Sequence, residues 1–257
     1  MQTRHTDRYQ YFNEEAKTTE KYFMPYIEQW SGVKPQSVLE VGCGEGGNLL
    51  PFAVKGCSVM GVDMCEGRVE QAEGFFKMKG EKGTFICSDI LKFDESNYHF
   101  DLIILHDVIE HISNKTQLLS GLKRYLNPGG TLFVAFPAWQ MPFGGHQQIA
   151  NGRIVSHLPF IHLLPRCLYK LLLSVCGENE SIIKELLNIK ETRCPIEKFR
   201  SIAAKTGYKI VNQQLYFINP HYETKFGLRP RKLNKAVSAV PYLRNFFSTS
   251  CFYILKK

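Results

Sequence analysis

The sequence lacks the features of several specialised structural classes. It has no internal repeat and no low-complexity segment, which excludes repeat and disordered architectures. Its eight cysteines are scattered, without a C-x-x-C pair or a His/Cys cluster at zinc spacing, so no structural zinc site is predicted. Several cysteines lie in apolar segments, as buried reduced thiols of cytosolic proteins do. We therefore expect a cytoplasmic location.

Long uninterrupted apolar runs are also missing. Met1–Lys17 contains no apolar run, so no signal peptide is predicted. The most apolar stretch, Leu158–Cys176, is interrupted by Pro159, Pro165 and several cations, and it does not fit a membrane span. Hydrophobic residues make up 44% and charged residues 22% of the chain, a composition typical of a globular protein that buries a substantial core.

Positive charge is concentrated in the second part of the chain. Met1–Pro137 is slightly acidic, whereas the segment from Arg153 onward carries the excess behind the net charge of +8. A basic surface attracts phosphates, nucleic acid or an anionic membrane. No RNA-binding module is recognisable, so nucleic acid is not expected as a partner. Peripheral membrane contact is a hypothesis, and a plain solvated face is its alternative.

Short apolar runs alternate with amphipathic segments between Val33 and Pro137, the pattern of βαβ units. Strands are predicted over Ser37–Val41, Ser58–Val62, Thr84–Cys87, Asp101–Leu105, Thr131–Phe136, Tyr208–Ile218 and Ser250–Leu255. Helices are predicted over Asn48–Lys55, Arg68–Lys79, Lys115–Leu126, Leu163–Val175 and Pro195–Thr206. The sequence thus predicts an α/β fold with a Rossmann-like doubly wound sheet, mostly parallel, with an antiparallel C-terminal strand and a helical cap insertion.

We predict three parts of the chain. Residues 1–32 form an N-terminal helical lid, residues 33–137 and 195–257 form the core, and residues 138–194 form a cap or acceptor-binding insertion. The aromatic residues Tyr9, Tyr11 and Phe12 belong to the expected lid. The cap is rich in apolar side chains and cations, so it could line an apolar pocket or lie on a membrane surface; simple core packing is the alternative.

A glycine-rich turn joins the first predicted strand to the first predicted helix. Within Glu40–Asn48, Gly42, Gly44 and Gly46 allow a sharp backbone turn and the close approach of a ligand to a helix N-terminus. With Gly47 as the third glycine, the turn also fits the pattern that binds dinucleotides. The spacing alone leaves a nicotinamide cofactor open.

Carboxylates near the ends of three predicted strands help to choose the cofactor. Glu40 stands two residues before the first glycine, where it would repel a pyrophosphate but accept a hydrogen bond from an ammonium group. Asp63 ends the second strand, where a carboxylate can bind both ribose hydroxyls. Asp89 and Ile90 follow the third strand and could bind the amine and cover the face of adenine; capping of a short helix is the alternative for Asp89.

With these residues, the chain from about Val33 to Pro137 resembles the class I S-adenosylmethionine-dependent methyltransferases. The family's acidic-x-Gly-x-Gly-x-Gly stretch corresponds to Glu40–Gly46, and the motifs around the fourth and fifth strands to Leu105–His111 and Pro128–Gly130. The resemblance implies S-adenosylmethionine as cofactor. Its implied contacts are Glu40, Gly42, Cys43, Gly44, Gly46, Asn48, Asp63, Met64, Asp89, Ile90 and His106.

Methylation of a hydroxyl acceptor is accelerated by a general base that removes its proton, and His146 is the predicted base. It follows two glycines in the loop after the fifth strand, and ubiquinone-biosynthesis O-methyltransferases carry a similar Gly-x-His; pinning of the cap is the alternative. His111 is expected to anchor the following helix. Asp107, Glu110 and His111 resemble a magnesium pattern of the same enzymes, but Asp107 replaces a glutamate, and no metal ligand is predicted.

The resemblance implies a methyltransferase, with O-methylation of a small, lipid-linked or glycan-linked acceptor as the leading hypothesis. Three alternatives stay open. They are a methyltransferase acting on RNA or protein, a nicotinamide-dependent oxidoreductase on the same fold, and a non-catalytic cofactor-binding protein. Retention of Glu40, Asp63 and Asp89 argues against the last.

Overall fold

The computed structural model describes residues 7–32, 34–94 and 97–257. The strands are β1 Ser37–Val41, β2 Ser58–Asp63, β3 Thr84–Cys87, β4 Phe100–His106, β5 Leu126–Phe136, β6 Lys209–Ile218, β7 Arg231–Lys232 and β8 Ser250–Lys256. The helices are α1 Arg8–Thr18, α2 Met24–Ser31, α3 Leu50–Val54, α4 Glu66–Lys79, α5 Lys115–Leu122, α6 Arg153–His157, α7 Arg166–Val175, α8 Glu180–Thr192, α9 Ile196–Lys205, α10 His221–Phe226 and α11 Lys235–Ala239.

The eight strands of the described chain form one sheet in the order β3-β2-β1-β4-β5-β8-β6-β7. The first five strands run parallel. β8 lies antiparallel between β5 and β6. The predicted α/β class, with its parallel half and antiparallel C-terminal strand, is confirmed. The short strand β7, which is antiparallel to β6, was not predicted.

Strand β4 shows how the sheet is buried on both faces. Leu102 and Ile104 belong to the apolar cluster that includes side chains of α1 to α4. Ile103 and Leu105 belong to the cluster that includes α5 and α9. Successive side chains of a strand point to opposite faces, so an unbroken apolar run is what a central strand between two helical layers requires.

The start of β5 corrects one prediction. Asn127–Gly130 was expected to form a turn before a strand beginning at Thr131, but β5 begins at Leu126 and includes these residues. The ladder to β4 shifts register at this point, because Gly129 has a left-handed φ of 78°. The side chain of Asn127 donates a hydrogen bond to Asp101 at 2.8 Å and holds the irregular segment to β4.

Two predicted helices are shorter than expected. The helix predicted over Asn48–Lys55 spans only Leu50–Val54, because the residues before it are still turning out of the glycine-rich segment. The helix predicted over Lys115–Leu126 ends at Leu122, because a 3-10 turn over Lys123–Tyr125 leads the chain directly into β5.

Helices α6, α7 and α8 enclose an apolar cluster of their own. The predicted helix from Leu163 begins only at Arg166, because Pro165 occupies its N-cap position. Helix α8 was not predicted. Among the described residues no helix is long and apolar enough to cross a membrane.

Candidate functional site

The predicted cofactor residues lie at one edge of the sheet. Strands β1 to β5 run parallel and end at Val41, Asp63, Cys87, His106 and Phe136. The carboxyl ends of parallel strands meet at the same edge, and open α/β sheets bind ligands outside that edge.

Gly42 fixes the glycine-rich turn against its neighbours. Its φ is 69°, and its N–H donates to the Val62 carbonyl at 2.7 Å. A β-carbon at this position would lie 2.4 Å from Cγ2 of Val108, which follows β4. No other residue type fits here without displacement, so the turn is held between β2 and the segment after β4.

Glu40 is fully buried beside the turn. Oε1 accepts a 2.7 Å hydrogen bond from the side chain of Asn48, which also lies 3.2 Å from Nδ1 of His106. Oε2 is buried without a hydrogen-bond partner among the described residues. Burial, followed by the charge of Glu15, raises the pKa of Glu40 well above its ordinary value. A carboxyl group in this state is suited to a cationic ligand, because pairing would restore the stability of its ionised form.

Asp63 is tied to the glycine turn. Its Oδ2 accepts from the N–H of Gly44 and its Oδ1 from the N–H of Cys65, both at 2.9 Å. The next residue, Met64, is 71% exposed, so it is free to lie against a ligand. The structure therefore places both side chains at the glycine turn, and each carboxylate oxygen can accept a further hydrogen bond.

Asp89 and Ile90 are placed differently from each other. Oδ1 of Asp89 accepts from the N–H of Leu91 at 3.0 Å, a local turn contact, and no helix follows in the described residues before β4 that Asp89 could cap. Ile90 is buried in the core cluster. Cys43 is also buried, and burial raises the pKa of its thiol.

Helix α1 contributes groups to the turn that were not singled out in the sequence. A β-carbon on Gly47 would lie 2.6 Å from the Phe12 carbonyl oxygen and 2.7 Å from Cβ of Glu15. Arg8 is 3.3 Å from Glu45. Glu15 is buried with one unpartnered oxygen, and burial, followed by the charge of Glu45, raises its pKa to about 8. In the sequence, the only sign of this contribution is that the acid Glu15 lies among aromatic residues near the start of the chain.

A second cluster consists of Glu110, His111 and His146. Nε2 of His146 lies 3.6 Å from Oε1 of Glu110, and the two imidazole rings are 5.0 Å apart. Both Glu110 oxygens are buried without a hydrogen bond among the described residues. His146 and the nearby Asp107 have left-handed φ values of 56° and 52°. Strain of this kind in non-glycine residues is typical of functional sites.

The two histidines of this cluster have pKa values that are shifted in opposite directions. Burial alone would lower the pKa of His146, but the carboxylates of Glu110 and Asp107 outweigh it and raise the pKa above its ordinary value. Burial lowers the pKa of His111. His146 is thus the stronger base of the pair.

The N-cap of the helix after His111 is another residue, and an anchoring role of His111 stays a prediction. Asn114 caps α5, because its side chain accepts from the N–H of Gln117 at 3.0 Å. His111 lies in a turn after β4 that brings its ring to His146.

The loop that carries His146 is held by other side chains. Gln147 donates to the Pro142 carbonyl oxygen at 2.9 Å, and His162 binds the carbonyl oxygen of Trp139 at 2.8 Å. These contacts pin the cap to the loop. The ring of His146, with a side chain 24% exposed, faces Glu110.

The same cluster could chelate a cation. Glu110, His111 and His146 each offer a ligand atom, and these atoms lie within 4.8 Å of one another. Two imidazoles and one carboxylate suit zinc or iron better than magnesium, which prefers oxygen ligands. This set differs from the magnesium pattern of Asp107, Glu110 and His111, because His146 takes the place of Asp107. The absence of a metal ligand set stays a prediction.

Comparison with known proteins gives partial matches in sequence. Residues 38–130 match the family described as a methyltransferase domain. The ubiquinone biosynthesis O-methyltransferase of Coxiella burnetii is 31% identical over 133 residues, which are 50% of this chain and 57% of that protein. The enzyme of the same name from Rickettsia conorii is 32% identical over 98 residues, 38% of this chain and 34% of that protein. The chain thus spans less than two thirds of these relatives.

Solved structures match over nearly the whole chain. An S-adenosylmethionine-dependent methyltransferase from Clostridium acetobutylicum has a TM-score of 0.59 at 13% identity and covers 93% of this chain and 91% of its own. The plantazolicin methyltransferase BpumL, in complex with SAH, has a TM-score of 0.54 at 14% identity and covers 96% and 84%. At such identities the likeness establishes the fold.

Proposed function

We propose that this chain, whose residues 38–130 form a methyltransferase domain of the class I S-adenosylmethionine-dependent family, transfers a methyl group to an acceptor hydroxyl. The observation that carries the proposal is the buried, unpartnered Oε2 of Glu40 at the glycine-rich turn. S-adenosylmethionine has a positive ammonium and a positive sulfonium group, which such a carboxylate attracts. The pyrophosphate of a dinucleotide has no positive charge that could pair with Glu40 or Glu45.

In this proposal the cofactor lies along the carboxyl edge of β1 to β4. When bound, S-adenosylmethionine supplies a methyl group on an already activated sulfur. Glu40 and the glycine turn face its methionine part, with Asn48 and His106 positioning Glu40. Asp63 accepts from the ribose, while Met64, Asp89 and Ile90 border the adenine.

His146 acts as the general base. Nε2 faces Glu110, so Nδ1 is the nitrogen that takes the acceptor's proton as the hydroxyl oxygen attacks the methyl group. Glu110 is a positioning residue: its carboxylate holds the ring and stabilises the imidazolium that forms, as the carboxylate of a catalytic triad does. The strained φ of His146 keeps the ring at this place.

The acceptor is a small, lipid-linked or glycan-linked molecule, methylated in the cytoplasm. The O-methyltransferase names of the two relatives support a hydroxyl acceptor. Residues 138–194 bind this acceptor, residues 7–32 close over the cofactor, and residues 34–94 and 97–137 with 195–257 form the core. Residues 1–6 of the predicted lid lie outside the described residues. The mechanism needs no metal ion, so dialysis against EDTA is expected to leave turnover unchanged.

Isothermal titration calorimetry with S-adenosylmethionine and with NADH tests the proposal. We expect binding of S-adenosylmethionine and none of NADH. Binding of NADH without binding of S-adenosylmethionine would contradict the proposed cofactor. Formation of S-adenosylhomocysteine with hydroxyl acceptors, offered free and in vesicles, then tests the reaction.

A further inference from the structure

Two long stretches of the chain contain no aspartate or glutamate at all. They are residues 111–177 and residues 224–257, and they carry six and eight lysines and arginines respectively. Acids are frequent elsewhere, with 24 in the whole chain. Acids of other segments pair with two of these cations, since Arg166 contacts Glu191 and Arg244 contacts Glu197. The remaining excess of cations creates a positive potential that attracts anionic partners.

Exposed apolar side chains gather in the same two stretches. Of the 21 large apolar side chains that are exposed among the described residues, 13 belong to residues 111–177 or 224–257. Scattered apolar residues on a protein surface are normal, but a concentration in two basic segments marks an interaction surface.

Helix α7 presents the clearest apolar stripe. Leu168, Leu171 and Val175 are 50%, 59% and 77% exposed, and their spacing places them on one helix face. The helix buries Tyr169 and Leu173 in the cluster it shares with α6 and α8. The exposed stripe therefore serves no purpose in the fold of the cap.

A second apolar patch precedes β8. Leu243, Phe246 and Phe247 are between 38% and 46% exposed. Phe160, which lies six residues before α7, has its ring 6.4 Å from that of Phe246 and is itself 40% exposed. Phe160 thus connects this patch to the segment that leads into α7. We call Leu168, Leu171, Val175, Phe160, Phe246 and Phe247 the apolar rim.

The apolar rim borders the loop that carries His146. Phe160 donates its N–H to the Pro142 carbonyl oxygen at 2.7 Å, four residues before His146. Ala138, where the loop begins, donates its N–H to the Ser248 carbonyl oxygen at 3.3 Å. Whatever covers the rim therefore lies next to the acceptor side of the candidate site.

We propose that the apolar rim and its surrounding cations dock the protein on an anionic lipid membrane, from which a lipid-linked acceptor reaches His146. Apolar side chains that enter the headgroup region together with lysines and arginines are the combination that gives stable interfacial binding. Lys170 in α7 and Lys232 and Lys235 beside α11 are exposed and supply this charge. The role in acceptor delivery rests on the proposed function, whereas the docking itself does not.

Two other occupants fit the surface less well. A second copy docking through the same rim would bring two surfaces with an excess of positive charge together, which repel each other. Single-stranded nucleic acid would match the charge and could stack on the three phenylalanines of the rim, but it would leave the aliphatic α7 stripe uncovered. Both remain as outcomes of the test.

Co-sedimentation of the full chain with lipid vesicles tests the proposal. We expect binding to vesicles of phosphatidylcholine with phosphatidylglycerol, weakening with added salt, and little binding to phosphatidylcholine alone. The double variant Leu171→Glu, Val175→Glu is expected to bind at least roughly tenfold more weakly. Val54→Glu is the control, because Val54 is 63% exposed in α3, outside the acid-free stretches, and the change likewise replaces an exposed apolar side chain by glutamate.

Three results would overturn the docking proposal. One is equal vesicle binding by the double variant and the Val54→Glu control. The second is absence of vesicle binding by the wild-type chain, with a dimer in sedimentation velocity that the double variant breaks. The third is absence of vesicle binding with tight binding of an RNA oligonucleotide. Lys232→Gln with Lys235→Gln gives a second variant set, expected to reduce binding to anionic vesicles only.

Calorimetry on the same proteins separates this proposal from the proposed function. A double variant that binds S-adenosylmethionine as the wild type does, yet fails to bind vesicles, is folded and supports docking. A wild-type chain that binds vesicles but no S-adenosylmethionine would leave docking in place and contradict the cofactor.

Discussion

The parts of the chain before and after Pro137 differ in charge and in how they resemble other proteins. Residues 1–137 hold 18 acids and 14 lysines and arginines, whereas residues 138–257 hold 6 and 18. The family match lies wholly in the first part. The first part buries acids around the glycine-rich turn, where we propose that the cationic donor binds. The second part is basic, and we propose that it surrounds the acceptor.

At the candidate site, the two parts are joined by the pair Glu110 and His146. Glu110 comes from the segment after β4, and His146 from the loop after β5. The acid of the first part raises the pKa of the histidine of the second. We infer that donor binding and proton transfer depend on different residues. A substitution that changes one of them should therefore leave the other unchanged.

The largest effect is expected for His146→Ala. Loss of a general base typically lowers turnover by about 10²–10⁴-fold, and the affinity for S-adenosylmethionine should stay unchanged because His146 belongs to the acceptor side. Single-turnover kinetics and calorimetry measure the two quantities. His157→Ala is the control, because His157 is an exposed histidine that bonds only within its own helix.

If His146→Ala retained full turnover, the base would have to be sought elsewhere in the cluster. If it lost donor affinity by the same factor as turnover, the separation of the two parts would fail.

Glu40→Gln should lower the affinity for the donor more than it lowers turnover, the reverse of His146→Ala. Removing a buried charge that pairs with the donor's ammonium is expected to weaken S-adenosylmethionine binding by about 10–100-fold. Turnover at saturating donor should fall much less. Glu28→Gln is the matched control, since Glu28 is an exposed acid paired only with Lys55. Unchanged donor affinity in Glu40→Gln would remove Glu40 from the cofactor site.

The sequence predicted the first part of the chain closely, because local chemistry determines it. Unbroken apolar runs bounded by Gly42 and Asp63 are typical of parallel strands, and the predicted strand ends agree with β1 to β4 within one residue. The bulge around Gly129 was missed, since a Pro-Gly-Gly sequence fits a turn before a strand as well as a bulge inside one.

The second part was predicted less well because it depends on contacts far apart in sequence. Helix α8 has ordinary amphipathic spacing but no distinguishing motif. The approach of Glu110 and His111 to His146 joins residues more than thirty positions apart, and no sequence period encodes it. The same holds for Glu15, which reaches the glycine turn only because α1 packs there.

A smaller effect is expected on the pH dependence of turnover. The base must be neutral, so turnover should rise with pH through the pKa of His146, which lies above its ordinary value. In Glu110→Gln the raising charge is gone and burial remains, so the rise should move to lower pH. A pH profile of single-turnover rates measures the shift. A profile that moves to higher pH, or not at all, would contradict the pairing of Glu110 with His146.

The smallest effect on function is expected for Glu15→Gln. The main effect of this substitution is expected on thermal stability. Because the pKa of Glu15 is raised to about 8 in the folded chain, the folded state keeps a proton that the unfolded chain releases above about pH 4.5. The empty protein should therefore lose stability as pH rises from about 4.5 to 8. Glutamine removes this loss, so the variant should melt several degrees higher than wild type at pH 8 and at nearly the same temperature at pH 4.5.

Adding S-adenosylmethionine should reverse the order of the melting temperatures of the wild type and Glu15→Gln. The positive donor stabilises the ionised Glu15 of the wild type, so the wild type should gain more in melting temperature than Glu15→Gln. Glu20→Gln, a change at an exposed acid of the same N-terminal segment, should show neither effect. Equal gains in Glu15→Gln and wild type would mean that α1 covers the glycine turn without taking part in donor binding, and the acidic site would then consist of Glu40 and Glu45 alone.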